Sequence, residues 1–283
     1  MTRTNALSIA TCQFPVSEHI PKNSRYIQNQ IAEAKRLGAD IVHFSELALS
    51  GYGGVEYDSL DELDWPALER ETQAVLDCIR REKVWVLLGS THRLSPEYKP
   101  HNSTYLIDPS GKVVDRYDKR FCTAGDLNHY TSGDHFVTFD INGVKCGLLI
   151  CYDIRFPELY REYRRMGVQV MFHSFYNARA QGRNIHTTIM RPSLQERAAT
   201  NYMWVSANNS SGYYQSWPSV FIRPNGEIAQ SLRQHKAGAM VNIADTTEEF
   251  YDASAPFRDR ALSNILHSGE LVDDPRSADR VSI

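Results

Sequence analysis

Strand and helix signals alternate along the first part of the chain, and this alternation constrains the fold more than any other feature. Apolar runs typical of buried strands occur in "ALSIATCQF", "DIVHFSE" and "VWVLLGS". Between them, "SRYIQNQIAEAKRLGAD" predicts an amphipathic helix that stops at Gly38, and a second helix is predicted around Leu63–Glu82. Because strands that are apolar along most of their length are covered on both faces, the pattern predicts a layered α/β fold.

From residue 102 onward the pattern changes to pairs of strand-like runs joined by short turns. The turn sequences are "PSG" at 109, "NG" at 142 and "PNG" at 224, and each predicts a hairpin. We therefore expect mixed sheets within one domain over residues 1–283, with a core of about 5–245. The last residues, 246–283, lose this periodicity, and the sequence leaves open whether they pack on their own domain or on another subunit.

Composition and charge exclude several classes of protein. The formal net charge of −3 does not favour a nucleic-acid or anionic-membrane partner. The longest apolar stretches, such as Val168–Phe172, are much shorter than the roughly 20 residues of a membrane-spanning helix. Five scattered cysteines without a CxxC pair argue against a disulfide framework or a zinc site, so we expect a cytoplasmic protein. Without secretion, the glycosylation-like "NST" at Asn102 carries no functional meaning.

The segment "GLLICYDIRFPELY" carries a cysteine, Cys151, to the end of a buried strand. A helix is predicted directly after it, with Pro157 in the first turn and Gly167 as the stop. Helix N-terminal amides lower the pKa of a nearby thiol, and the edge of an α/β sheet is where ligands bind. A lone cysteine is ordinarily a small core residue, which suits Cys12, Cys78 and Cys146, but the position of Cys151 indicates a reactive thiol.

Two further residues, a carboxylate and an ammonium, end strand-like runs and could act together with the Cys151 thiol. Glu46 follows "DIVHFS", and Lys119 ends "VVDRYDK", where Tyr117 and Lys119 share one face of the predicted strand. Each alone is most simply an edge acid or a solvated lysine. Together with Cys151, the carboxylate is a base for the thiol, and the ammonium stabilises the oxyanion of a tetrahedral intermediate.

These three segments resemble the Glu-Lys-Cys triad of the nitrilase superfamily of carbon–nitrogen hydrolases. The resemblance covers "FSELALSGY", "YDKRF" and "CYDIRFPEL", and extends over most of the chain, including "RAATNYMWVSANNSSG". It implies a four-layer αββα sandwich, usually paired across subunits, and hence a homodimer or higher homo-oligomer. It also implies that Cys151 attacks the carbonyl carbon, that Glu46 moves the proton, and that Lys119 stabilises the oxyanion with the Tyr152 amide. No metal or organic cofactor is implied.

One position departs from the family pattern. Many members carry a second glutamate after the lysine and before a turn that here reads "TSG" at Thr131–Gly133, where this chain offers the shorter Asp126. Asp126 either holds Lys119 or the substrate, or is a loop acid without a role.

The residues after Cys151 indicate the branch of the family and the substrate contacts. Tyr152-Asp153 resembles the amidase-type branches, whereas true nitrilases usually have Trp-Glu, so a small linear amide or N-carbamoyl substrate is expected. The tentative substrate contacts are Tyr52, Phe175, Tyr176, Asn177 and Arg179. Arg179, Arg183 and Arg191 are available to clamp a carboxylate, although solvated positions are the simpler interpretation for at least two of them.

Three alternatives remain open from the sequence. The same triad would hydrolyse a nitrile; Cys151 would pair with His173 or His43 in a Cys-His hydrolase; or the fold would serve a non-catalytic binding protein.

Overall fold

The structure, a computed structural model, describes residues 4–177 and 184–282. Within those ranges twelve strands form two six-stranded sheets. The strands are β1 (Ala6–Gln13), β2 (Ile41–His43), β3 (Trp85–His92), β4 (His101–Ile107), β5 (Val113–Asp118), β6 (Thr138–Ile141), β7 (Val144–Ile150), β8 (Val170–Phe175), β9 (Trp204–Asn209), β10 (Val220–Ile222), β11 (Ile228–Ser231) and β12 (Gly238–Asp245). The α-helices are α1 (Ile20–Arg36), α2 (Trp65–Glu82), α3 (Pro157–Arg165), α4 (Ile185–Asn201), α5 (Arg258–Leu262) and α6 (Pro275–Ala278).

The two sheets repeat one arrangement. The first has the order β12-β1-β2-β3-β4-β5 and the second β11-β10-β9-β8-β7-β6. In each, three central strands are parallel (β1, β2, β3 and β7, β8, β9) and the flanking strands are antiparallel. The three predicted hairpins are present as β4–β5, β6–β7 and β10–β11. The mixed-sheet prediction is therefore confirmed.

The helices cover the outer faces of the stacked sheets. Alternate residues of β1 face opposite ways: Ala10 joins a core with Ile27 of α1 and Val75 of α2, whereas Ile9 joins the core shared with the second sheet. Residues of α3 and α4 pack into that second core, for example Leu194. The result is an αββα sandwich, as the sequence predicted. None of the described helices has the length and apolar character needed to cross a bilayer.

A buried polar layer ties the two sheets together around His43 of β2. Its Nδ1 lies 2.9 Å from Ser206 Oγ and its Nε2 lies 2.9 Å from Ser174 Oγ, both on the second sheet. Ser206 Oγ also lies 2.8 Å from Thr11 Oγ1 of β1. Burial lowers the pKa of His43 to about 3, so the ring is neutral at physiological pH.

Beyond β12 the described chain contributes little to the core. Most of its residues are exposed, and α5 and α6 are its only described helices. Arg258 of α5 is the exception, since it is buried, pairs with Asp252 and donates from Nε to Thr200 O at 3.0 Å.

Candidate active site

Glu46 lies in a turn that leaves the first sheet, three residues beyond the end of β2. The prediction from the sequence that Glu46 ends the strand is wrong, because β2 stops at His43. The turn crosses β3 at Gly89, where a Cβ would lie 2.2 Å from Ser45 O. The absence of a side chain at Gly89 thus lets the turn approach the sheet and carry Glu46 between the two sheets.

The Glu46 carboxylate is fully buried and accepts three hydrogen bonds. Oε1 accepts from Asn102 Nδ2 at 2.7 Å and from Lys119 Nζ at 2.8 Å, and Oε2 accepts from the Tyr176 amide at 2.8 Å. The backbone N–H of Glu46 donates to Phe175 O at 3.3 Å. Since Phe175 ends β8, residues from both sheets fix this carboxylate.

Lys119 directly follows β5, and its side chain is also fully buried. Nζ donates to Glu46 Oε1 at 2.8 Å, to Asp126 Oδ2 at 2.9 Å and to Tyr52 OH at 3.2 Å. Burial alone would lower the pKa of this ammonium, but the acidic groups of Glu46, Tyr52, Cys151 and Asp126 raise it well above its ordinary value. Lys119 is therefore a fixed positive charge, and the Cys151 thiol is within its electrostatic reach.

Asp126 is a buried partner of Lys119. Its Oδ1 accepts from Tyr52 OH at 2.6 Å, while Oδ2 accepts from Lys119 and from the Thr123 amide at 2.8 Å. Burial alone would raise its pKa, but Lys119 and these hydrogen bonds lower the pKa to about 2. Of the two interpretations of Asp126 from the sequence, the structure supports contact with Lys119.

Cys151 stands at the first position of a 3₁₀ turn, Cys151–Arg155, that follows β7. Its φ of +44° is in the left-handed region, which a non-glycine residue adopts only under constraint. The side chain is partly exposed and lines a cavity of about 240 Å³. The nucleophile candidate is thus accessible from the cavity, whereas Glu46 and Lys119 are fully buried and absent from its described wall.

The described lining of this cavity includes some of the predicted contacts. It consists of Thr123, Cys151, Tyr152, Ile154, Arg155, Tyr176, Asn177, Asn184, His186 and Met190. Of the tentative substrate contacts, Tyr176 and Asn177 belong to it. A larger surface cleft of about 440 Å³ beside Trp65 contains none of the three triad candidates in its described lining.

The other tentative contacts lie elsewhere. Tyr52 is buried against Asp126, and Phe175 is buried between the rings of His173 and Trp217. Neither is part of the described cavity wall. Arg179 and Arg183 lie outside the described residues. Arg191 is an exposed residue of α4, which agrees with the solvated interpretation.

Both histidines of the Cys-His alternative have structural partners. His43 is bonded to two serines in the polar layer described above. His173 Nδ1 lies 2.9 Å from Tyr160 OH, and its ring stacks on Phe175. Burial lowers the pKa of His173 well below its ordinary value. A lowered pKa makes each of these buried rings a weak proton acceptor, so the Glu46 carboxylate is the better candidate for the base.

Sequence reasoning missed three residues that shape the site. Asn102, dismissed as part of a glycosylation-like pattern, is buried and donates to Glu46. Asp153 is buried beneath the Cys151 turn. Glu56 bonds to the Tyr52 amide at 2.8 Å and to the Tyr176 hydroxyl. For Asn102, the only feature of the sequence that could have indicated a role was an amide side chain inside a strand-like run. The roles of Asp153 and Glu56 depend on tertiary contacts.

Comparison with known proteins agrees with this geometry. The family model described as carbon-nitrogen hydrolase matches residues 8–252. A protein named hydrolase in agr operon, from Staphylococcus lugdunensis, is 32% identical over 214 residues, covering 72% of this chain and 87% of that protein. A 2-oxoglutaramate amidase from Bacillus subtilis is 27% identical over 208 residues, covering 72% and 76%. The crystal structure of an amidase from Nesterenkonia sp. has the same fold, with a TM-score of 0.77 at 20% identity, covering 93% and 98% of the two chains.

The chain belongs to the carbon-nitrogen hydrolase family of the nitrilase superfamily. It is an amidohydrolase-type enzyme, and amide hydrolysis is its general chemistry.

Proposed function

We propose that this protein is a cysteine-dependent amidase that cleaves the C–N bond of a small linear amide or N-carbamoyl compound through a thioester. The observation that carries the proposal is the Lys119 ammonium, which bonds to Glu46 at 2.8 Å and acts electrostatically on the cavity-lining Cys151. A buried base, a cation bonded to it and a cavity-lining thiol within reach of that cation are the groups that acyl transfer from an amide requires.

The acylation step uses Cys151 and Glu46. The Cys151 sulfur bonds to the carbonyl carbon while its proton passes to the Glu46 carboxylate. The C–N bond then breaks as Glu46 returns that proton to the leaving nitrogen, which departs as ammonia or an amine. In deacylation, Glu46 takes a proton from water as the water oxygen bonds to the thioester carbon. The C–S bond then breaks, the carboxylic acid leaves, and Glu46 returns the proton to the Cys151 sulfur.

The charge on the tetrahedral oxygen is stabilised by Lys119 and by the backbone N–H of Tyr152. Lys119 suits this role because its acidic neighbours keep it charged and its hydrogen bonds fix its position. A buried, preorganised cation stabilises a developing negative charge far more than an exposed one does. Asp126 would support Lys119 in this position.

The cavity favours a small substrate with an anionic group. Its volume of about 240 Å³ suits a short acyl chain. Among the described lining residues, Arg155 is the one arginine or lysine, and no described lining residue is acidic. The named relative 2-oxoglutaramate amidase takes, by its name, an amide that also bears a carboxylate. We therefore favour amides with a distal carboxylate, bound by Arg155.

The test is ammonia release from a panel of carboxylate-bearing amides, neutral amides of equal length, N-carbamoyl amino acids, carbamoyl amines and nitriles. Wild type is expected to prefer the carboxylate-bearing amides. Cys151→Ala, Glu46→Gln and Lys119→Met are each expected to lose at least about 100-fold in kcat per folded molecule, with the folded fraction measured by circular dichroism. His43→Gln serves as the control and is expected to keep its kcat.

Particular outcomes would overturn parts of the proposal. Full turnover by Glu46→Gln would remove the carboxylate base. Hydrolysis confined to nitriles would replace the amide assignment. A preference for the neutral amides would remove the role of Arg155.

A further inference from the structure

Asp153 lies two residues after Cys151, and its carboxylate is completely buried beneath the 3₁₀ turn. Oδ2 accepts from the Ile150 amide at 3.0 Å and from Tyr117 OH at 2.8 Å, and Oδ1 accepts from the Phe121 amide at 2.9 Å. Burial raises its pKa to about 6 even though these three donors act in the opposite direction. The chain thus keeps an acid at a position where an ionised carboxylate is costly.

The donors to Asp153 come from the two segments that carry the nucleophile and the cation. Ile150 immediately precedes Cys151 on β7. Tyr117 and Phe121 stand two residues before and two residues after Lys119. One carboxylate therefore joins the Tyr117 side chain and the Phe121 backbone, which lie on either side of Lys119, to the backbone that presents Cys151.

The backbone of Cys151 needs such a constraint. Its φ of +44° is a conformation that costs about 1–3 kcal/mol for a non-glycine residue and persists only when the surroundings fix it. The bond from Ile150 to Asp153 closes the turn across Cys151 itself. Asp153 is absent from the described cavity wall, so its effect passes through these bonds.

We propose that Asp153 is a positioning residue that holds the Cys151 sulfur in register with Lys119 and the substrate carbonyl, an inference that rests on the proposed amidase function. Its carboxylate does not exchange protons with the substrate. Loss of its bonds is expected to leave the pocket able to bind substrate but to misplace the nucleophile. A misplacement of about 1 Å costs on the order of 100-fold in rate.

The test compares Asp153→Asn with Tyr117→Phe. Asparagine keeps the shape but turns an NH₂ group toward at least one N–H or O–H donor, whereas Tyr117→Phe removes one donor and leaves both amides bonded. We expect Asp153→Asn to lose about 100-fold in kcat with KM nearly unchanged. Tyr117→Phe should lose about tenfold in kcat. Alkylation of Cys151 by iodoacetamide, mapped by peptide mass, should be slower in both variants.

All rates are normalised to the folded fraction of each variant, measured by circular dichroism. If kcat per folded molecule equals that of wild type, Asp153 only supports folding and the proposal is overturned. A rise in KM with unchanged kcat would also overturn it. If Asp153→Asn does not fold, Tyr117→Phe decides by the same criteria. If wild type hydrolyses no amide, the proposed function fails, while the alkylation rates still report on Asp153 separately.

Discussion

At the scale of single residues, Lys119 determines the electrostatics of the site. The Lys119 ammonium is fully buried between the carboxylates of Glu46 and Asp126. These three side chains therefore comprise two acids and one base. Asp126 accepts hydrogen bonds from Tyr52, Lys119 and the Thr123 amide, and loss of a buried acceptor leaves such donors unsatisfied, which is destabilising. Asp126 is therefore expected to matter for stability as well as for activity.

Replacement of Asp126 by asparagine tests this expectation. The folded-state pKa of Asp126, about 2, lies below its ordinary value of 3.8, so its stabilising effect is present above that value and is lost as pH falls through about 2. At pH 7 we expect Asp126→Asn to lower the free energy of unfolding by about 2 kcal/mol, measured by urea denaturation, and to lower kcat. Asp140→Asn, at an exposed position, is the matched control and should change neither quantity. Equal stability of Asp126→Asn and wild type at pH 7 would contradict the account.

At the scale of elements, the site depends on turns that leave their sheets at close backbone contacts. The Glu46 turn passes over β3 at Gly89, and the loop containing Gly133 passes over the end of β5. A Cβ on Gly133 would lie 2.5 Å from Asp118 Cβ. The backbone N–H of Gly133 donates to Lys119 O at 2.9 Å. Because Gly89 and Gly133 have no side chain, the backbone can approach closely at both points, and these approaches position Glu46 and Lys119.

Gly89→Ala should disturb this arrangement. The new methyl group would lie 2.2 Å from Ser45 O and 2.7 Å from Leu47 N, both backbone atoms, so the Glu46 turn must move away from β3. We expect a loss of about 3 kcal/mol in the free energy of unfolding and a lower kcat per folded molecule. Gly238→Ala, whose Cβ would have no contact closer than 3.9 Å, is the control. A fully active, stable Gly89→Ala protein would show that the turn does not need this contact.

At the scale of the whole molecule, the sequence contained enough information for the sandwich and for the main candidates. Strand periodicity and turn residues are local, so the hairpins and the helix stops were predictable. Chemically unusual residues in or just after strand-like runs indicated Glu46, Lys119 and Cys151 as the candidates. The roles of Asn102 and Asp153 were not predictable from local sequence. Asn102 meets Glu46 only when the first sheet forms, and Asp153 meets Tyr117 and Phe121 only when the two sheets stack. The end of β2 was misplaced for a similar reason, since the approach at Gly89 involves another strand.

In the proposed mechanism, Cys151 carries the acyl group during turnover. Intact-mass analysis of wild type, quenched in acid during hydrolysis of a carboxylate-bearing amide and followed by peptide mapping, tests this step. We expect a mass increase equal to the substrate minus ammonia, located on the peptide that contains Cys151 and absent from Cys151→Ala. Ammonia release by Cys151→Ala at the wild-type rate, or an adduct on a different residue, would contradict it.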